Sequence, residues 1–182
     1  KYYYTELFIG KDRQKTSVII DTGSDYLAFH AQVIFDSLNL IACGDKCGKH
    51  KYPSYDIKKS KDARVIKCNS KIENFSCKNC KNGKCVFRRS YLEGSSLGGE
   101  VYTDYISILS DKDRQIHENT HRMITPAHKA HDESDYKGAM GLFGCTNYET
   151  GLFKSQLANG IMGLGPKTNS KTTSPNFIDS LF

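Results

Sequence analysis

No apolar run in this 182-residue chain approaches the ~20 residues that a helix needs to cross a bilayer. A membrane anchor beyond residue 182 is left open by that. Tryptophan is absent, and there are only four prolines. Apolar residues make up 38% and mean hydropathy is −0.54, low for a compact domain. The balance fits a β-rich body with long polar loops better than a helical bundle. A sustained basic helix and an RNA-type aromatic signature are both missing, which argues against nucleic acid as a partner. The net charge of +6 then reads as a lysine-rich solvated surface, with lysines in loops such as 46–51 and 58–61 interleaved with acids. The glycine run Asn159-Gly160-Ile161-Met162-Gly163-Leu164-Gly165 lacks the Lys-Ser/Thr ending of a phosphate loop. No acid follows it at the spacing of a dinucleotide site. No cofactor is expected. Internal repeats and low-complexity tracts are absent too. A length of 182 residues suits one domain with a real core.

What is present begins with Val18-Ile19-Ile20-Asp21-Thr22-Gly23-Ser24. The β-branched run reads as a buried strand. A carboxylate at the end of such a strand is costly unless it has partners. Thr22 and Ser24 offer hydroxyls beside it. Gly23 lets the chain turn and bring N–H groups close. This is how a catalytic carboxylate is held. A second feature is Tyr91, followed by Gly94, Ser95 and Gly98-Gly99, which predicts a hairpin with its tip at about residues 93 to 98.

Four segments in this order resemble the amino-terminal lobe of a pepsin-like aspartic peptidase. They are Tyr3-Tyr4-Thr5-Glu6-Leu7-Phe8-Ile9-Gly10, Ile19 to Ser24, the Tyr91 hairpin, and Gly160 to Gly165. The cysteine-rich middle and Phe143-Gly144-Cys145 are most similar to the plasmepsin V and nepenthesin-like branches. The resemblance implies an all-β, pepsin-like acid protease fold, with residues 1–182 as the amino-terminal lobe of a bilobal enzyme and a Cys-rich loop insertion. It implies an aspartic endopeptidase with Asp21 as one catalytic carboxylate and Thr22, Gly23 and Ser24 supporting it. Tyr91, Gly94 and Ser95 belong to a flap over a peptide or protein substrate. The departures are Asp25 where a second Ser is usual, Phe29 where many relatives carry Trp, Asn159 for the usual Asp, and Lys11-Asp12 for Thr-Pro.

Peptide hydrolysis by this chemistry needs two carboxyl groups sharing one proton. No second apolar-Asp-Thr/Ser-Gly triplet occurs: Asp179-Ser180-Leu181 lacks both the glycine and the preceding strand. With its start at Lys1, without Met or signal peptide, the chain reads as a fragment whose partner is the C-terminal lobe of the same full-length protein. Such a fragment is expected to be inactive alone. Two rival readings are an inactive, inhibitor-like relative and a disulfide-rich secreted module.

The seven cysteines are Cys43, Cys47, Cys68, Cys77, Cys80, Cys85 and Cys145. The spacing of Cys68, Cys77, Cys80 and Cys85 suits either zinc or a disulfide knot. The aspartic-peptidase signals imply a secretory route (endoplasmic reticulum, vacuole or lysosome, or outside the cell), and there thiols oxidise. Disulfides are therefore expected, and no metal. The resemblance suggests nested pairs, Cys68 with Cys85 and Cys77 with Cys80, and Cys43 or Cys47 with Cys145. Asn74-Phe75-Ser76 is a glycosylation sequon, consistent with the same route. His117, His121, His128 and His131 fall in a polar stretch, 110–138, that reads as an extended surface loop. Strands are expected at 2–10, 14–20, 86–92 and 99–109, a Cys-bearing insertion at 43–85, and a short helix from Asn176 to Phe182.

Overall fold

The computed structural model describes residues 2–36, 39–41, 47–72, 75–108 and 138–165. The histidine-bearing stretch, the terminal helix and Asn74 lie outside these residues. β1 (Tyr4–Ile9) and β2 (Gln14–Asp21) pair antiparallel, from Tyr4↔Ile19 to Ile9↔Gln14. β3 (Leu27–Asp36) follows the Asp21 loop and pairs with the short β4 (Asn39–Ile41) and β5 (Tyr55–Asp56). A 3-10 turn (Ile57–Lys59) and β6 (Arg64–Val65) follow. The 43–85 segment is thus more than an insertion, because β5 and β6 are hydrogen-bonded into the body of the lobe. β7 (Asn79–Lys81), β8 (Lys84–Ser90) and β9 (Ser96–Ser107) form an antiparallel meander. β10 (Ala139–Glu149), a one-turn helix α1 (Leu152–Ser155) and β11 (Gly160–Gly163) complete the described chain.

The strands form one sheet in the order β1-β2-β11-β3-β10-β9-β8-β7. β1 also pairs with β9, Phe8 opposite Ser107 and Ile9 opposite Ile106, so six of these strands close on themselves. Side-chain alternation then separates two cores. Leu7, Ile9, Val18, Leu27, Phe29, Ile106, Phe143 and Met162 pack in the first. Tyr26, Ala28, Phe87, Leu97, Val101, Phe153 and Ile161 pack in the second. Phe29, at the position where Trp is common, stacks on Phe143 with ring centroids 4.7 Å apart.

The placement of β11 fixes the site. It lies between β2 and β3, parallel to the first and antiparallel to the second. The loop joining β2 to β3 must therefore cross over the end of β11. The backbone N–H groups of Gly163, Leu164 and Gly165 donate to the carbonyls of Tyr26 (2.9 Å), Asp21 (2.7 Å) and Ser24 (2.7 Å). A Cβ on Gly163 would stand 2.3 Å from the Tyr26 nitrogen and 2.5 Å from the Ser24 carbonyl oxygen, so only glycine permits this approach. The glycine run is a backbone clamp on the Asp21 loop, not a ligand loop.

Candidate active site

Asp21 is the last residue of β2 and is half-buried. Its two carboxylate oxygens are held by its own loop. The Gly23 N–H donates to Oδ1 at 2.9 Å and the Ser24 hydroxyl donates to Oδ2 at 2.5 Å. Together the two bonds fix the carboxylate plane. Thr22 is exposed, and Asp25 is half-buried beside the loop.

The Tyr91 hairpin is formed by β8 and β9, with its turn over 91–95. The Tyr91 N–H donates to the Ser95 carbonyl at 2.9 Å and the Gly94 N–H to the Tyr91 carbonyl at 3.0 Å. The tip is shorter than expected. Gly98 and Gly99 lie inside β9, where a Cβ on Gly99 would stand 1.8 Å from the Cys145 carbonyl oxygen. These glycines serve close strand approach, which turn chemistry alone does not separate from a hairpin tip. Gly94 is exposed at the tip. Ser95 is buried, and its hydroxyl accepts the Leu152 N–H at 2.9 Å, tying the turn to α1.

The structure brings Tyr91 to Asp21 and Ser24. Burial pushes the Tyr91 hydroxyl up to about 12, the Ser24 hydroxyl pulls it down, and the Asp21 charge adds to the rise. That hydroxyl is buried but makes no hydrogen bond of full geometry. Its ring packs edge-on against Phe153 at 5.2 Å. Tyr26, fully buried between the Asp21 loop and Phe87, was not singled out from sequence. Its position one residue after Asp25 was the available signal.

Asn159 explains one departure. Its Oδ1 accepts the Ser17 hydroxyl (2.8 Å) and the Tyr52 N–H (3.1 Å), while Nδ2 donates to the Tyr52 carbonyl (2.6 Å). An amide supplies both the acceptor and the donor this loop needs, and a carboxylate would lack the donor.

The cysteines divide otherwise than the resemblance suggested. Cys68 is bonded to Cys80 and Cys77 to Cys85, each with Cα atoms 5.7 Å apart. The pairs are crossed, not nested. Cys80 lies in the extended β7, and two residues three apart in an extended chain stand roughly 10 Å apart, too far for a disulfide. Cys145 is a free thiol, contrary to the expected pairing. It sits mid-strand in the first core, fully buried, between Phe29 and Glu100 in register. Cys47 is disulfide-bonded, and Cys43 lies outside the described residues.

A buried polar cluster was missed as well. His30 on β3 hydrogen-bonds Glu149 at the end of β10, and the His50 ring stands edge-on to His30 at 3.8 Å. The ligand atoms of His30, Cys47 and Glu149 lie within 4.8 Å of one another. The Cys47 sulfur is committed to its disulfide, so this trio is not a thiolate metal site.

Comparison with known proteins agrees with this architecture. Residues 3–175 match the family model described as xylanase inhibitor N-terminal. The chain is 29% identical over 182 residues to Plasmepsin V of Plasmodium falciparum (isolate 3D7), covering 100% of this chain and 25% of that protein. It is 25% identical over 199 residues to Aspartic protease 5 of Toxoplasma gondii, covering 100% of this chain and 17% of that protein. The chain thus spans a quarter or less of the length of these relatives. An all-β lobe in which a late strand clamps an Asp-Thr-Gly-Ser loop, matched end to end by such relatives, places this chain in the pepsin-like aspartic protease family, as an amino-terminal lobe of the xylanase-inhibitor N-terminal type.

Proposed function

We propose that Asp21 is one half of a carboxylate pair that hydrolyses peptide bonds, the other half coming from a second lobe in the longer protein. The observation that carries this reading is the fixation of both Asp21 oxygens by Gly23 and Ser24 at the end of a clamped strand. Two carboxyl groups brought within a hydrogen bond cannot both ionise easily, so they share one proton; aspartic proteases are the standing example. The ionised member takes a proton from water as it attacks the scissile carbonyl, and the protonated member supplies one toward the leaving amine. Tyr91, close to both Asp21 and Ser24, covers the substrate as part of a flap. Gly94 leaves the flap tip free of side chain, and Thr22 meets the second lobe. The two disulfides fit an oxidising, secretory compartment, and Asn74 is where a glycan of that route would attach.

In the full-length protein, Asp21→Asn keeps the shape of the loop and cannot share the proton. Turnover of a peptide substrate at acid pH should fall by roughly 10²–10⁴-fold with the unfolding midpoint little changed. A statine-type transition-state mimic should block the parent protein. Near-parental turnover by the variant would refute the assignment. The description of the matching family model favours a second reading, a polypeptide-binding lobe without catalysis. Full-length protein that captures a polypeptide partner, cleaves no peptide, and does so equally with Asn at position 21 would establish that reading.

A further inference from the structure

The net positive charge of this chain is concentrated in one stretch of its sequence. Residues 64–89 contain eight lysines and arginines against one acid, Glu73, while the rest of the chain sums to −1. Folding gathers these cations further. Lys81 and Lys84 are directly opposite across β7 and β8, and Lys67 is bridged to Lys84 from the other side. Like charges directly opposite in a sheet repel. Among the described residues of this face one carboxylate answers them, Glu100, paired with the Lys84 ammonium at 3.0 Å. The disulfides Cys68–Cys80 and Cys77–Cys85 run through the same strands and hold the cations at this spacing. Beside them lies a cavity of about 350 Å³ lined by Lys81, Asn82, Lys84, Arg88, Glu100 and Tyr148. Arg88 sits over the Tyr148 ring at 4.7 Å.

We propose that this face of β7 and β8 is a docking surface for an acidic segment of a polypeptide, apart from the Asp21 site. Lys84 is seven residues from Tyr91 along the hairpin, roughly 20–25 Å in an extended strand. β7 ends the sheet path, so its outer edge offers backbone groups as well as charge. Described residues between 64 and 89 include no exposed large hydrophobic side chain for entering a lipid surface. None of them is an exposed aromatic ring, and Tyr148, the exposed ring that lines the cavity, lies under the Arg88 guanidinium instead of open to a stacking base. The side-chain amide of Asn82 beside the lysines suits a peptide backbone. The surface does not depend on catalysis, and its test reads binding alone.

The test uses the full-length protein with its disulfides formed and a fluorescein-labelled peptide of alternating glutamate and serine, followed by anisotropy. The variant Lys67→Ser/Lys81→Ser/Arg88→Ser changes three exposed side chains of the face. Its control, Lys58→Ser/Lys59→Ser/Lys61→Ser, removes the same charge elsewhere. Unchanged far-ultraviolet circular dichroism and unchanged disulfide masses qualify both. The face variant should bind roughly tenfold more weakly at low salt, and the control within about twofold of the parent. Equal weakening by both would reduce the effect to bulk charge and overturn the proposal. Absence of binding by the parent would overturn it, as would tighter binding to duplex DNA or to phosphatidylserine vesicles than to the peptide. A face variant that aggregates while binding the peptide as before would show that the lysines only guard a sheet edge.

Discussion

Glu149 and His30 share a buried hydrogen bond, and their environments drive them in opposite directions. Burial pushes the Glu149 carboxyl up to about 8, against the opposing pull of His50 and Lys154. Burial holds the His30 imidazole down to about 4. In the unfolded chain the two revert to their ordinary values of 4.5 and 6.5. Between those values each state carries one proton on the pair, on the histidine when unfolded and on the carboxyl when folded. Equal proton counts mean no slope in stability. Above 6.5 the unfolded histidine gives up its proton while the folded carboxyl keeps one up to about 8, so this pair stabilises the fold less and less through that window. Thermal unfolding followed across pH should show the pair's contribution level from about 4.5 to 6.5 and declining to about 8. Glu149→Gln should remove that decline and leave His30 acting alone, so the variant gains stability as pH rises from about 4 to 6.5. Superimposable pH profiles for parent and variant would contradict this account.

At the scale of elements, β11 decides whether the Asp21 loop has a shape at all. Its four residues are all buried, and its glycine backbone occupies space that any side chain would contest. Gly163→Ala should lower the unfolding free energy by ~1–3 kcal/mol, as overpacking against fixed backbone does. It should also loosen the loop. Urea unfolding measures the first effect. Faster exchange of the Leu164 and Gly165 amides, which bond Asp21 and Ser24, measures the second. Exchange no faster than in the parent would mean that the loop is held by something other than this clamp. Much of this level was legible in the residues. Val18-Ile19-Ile20 before Asp21 announced a strand ending in a held carboxylate, though of the three only Val18 is buried and Ile20 is exposed, and the β1–β2 hairpin fell where its pattern put it. The meaning of Gly98-Gly99 was not legible. A glycine that lets two strands touch and a glycine that turns the chain look alike until the neighbouring strand is in place.

For the whole molecule, the cysteine framework is the part that spacing could not supply. Four cysteines admit three pairings, and local separation does not choose among them. Even the β7–β8 register, which sets Cys80 opposite Cys85, does not make the choice; it follows from where the fold brings Cys68 and Cys77 against these strands, a tertiary fact. Likewise nothing local marks Cys145 as a core residue, since its burial comes from strands 40 or more residues away in sequence. The crossed pattern is open to direct measurement. Trypsin cuts after Lys71, Lys78, Lys81 and Lys84, which places Cys68, Cys77, Cys80 and Cys85 on four separate peptides. Mass spectrometry without reduction should find the Cys68 peptide joined to that of Cys80 and the Cys77 peptide joined to that of Cys85. A Cys68–Cys85 link would contradict the crossed pattern.

The insertion of β11 between β2 and β3 also sets an order of events as the chain emerges from the ribosome. β2 and β3 are consecutive, yet the gap between them is filled by a strand made about 140 residues later. Closing so long a loop is slow, and until it closes the facing edges of both strands stay unpaired. The segment that carries Asp21 is therefore synthesised early and takes its final form late, once residues 160–165 are available to it. A nascent lobe shorter than this holds the acid without the geometry, and its open strand edges are what a chaperone would have to cover in the meantime.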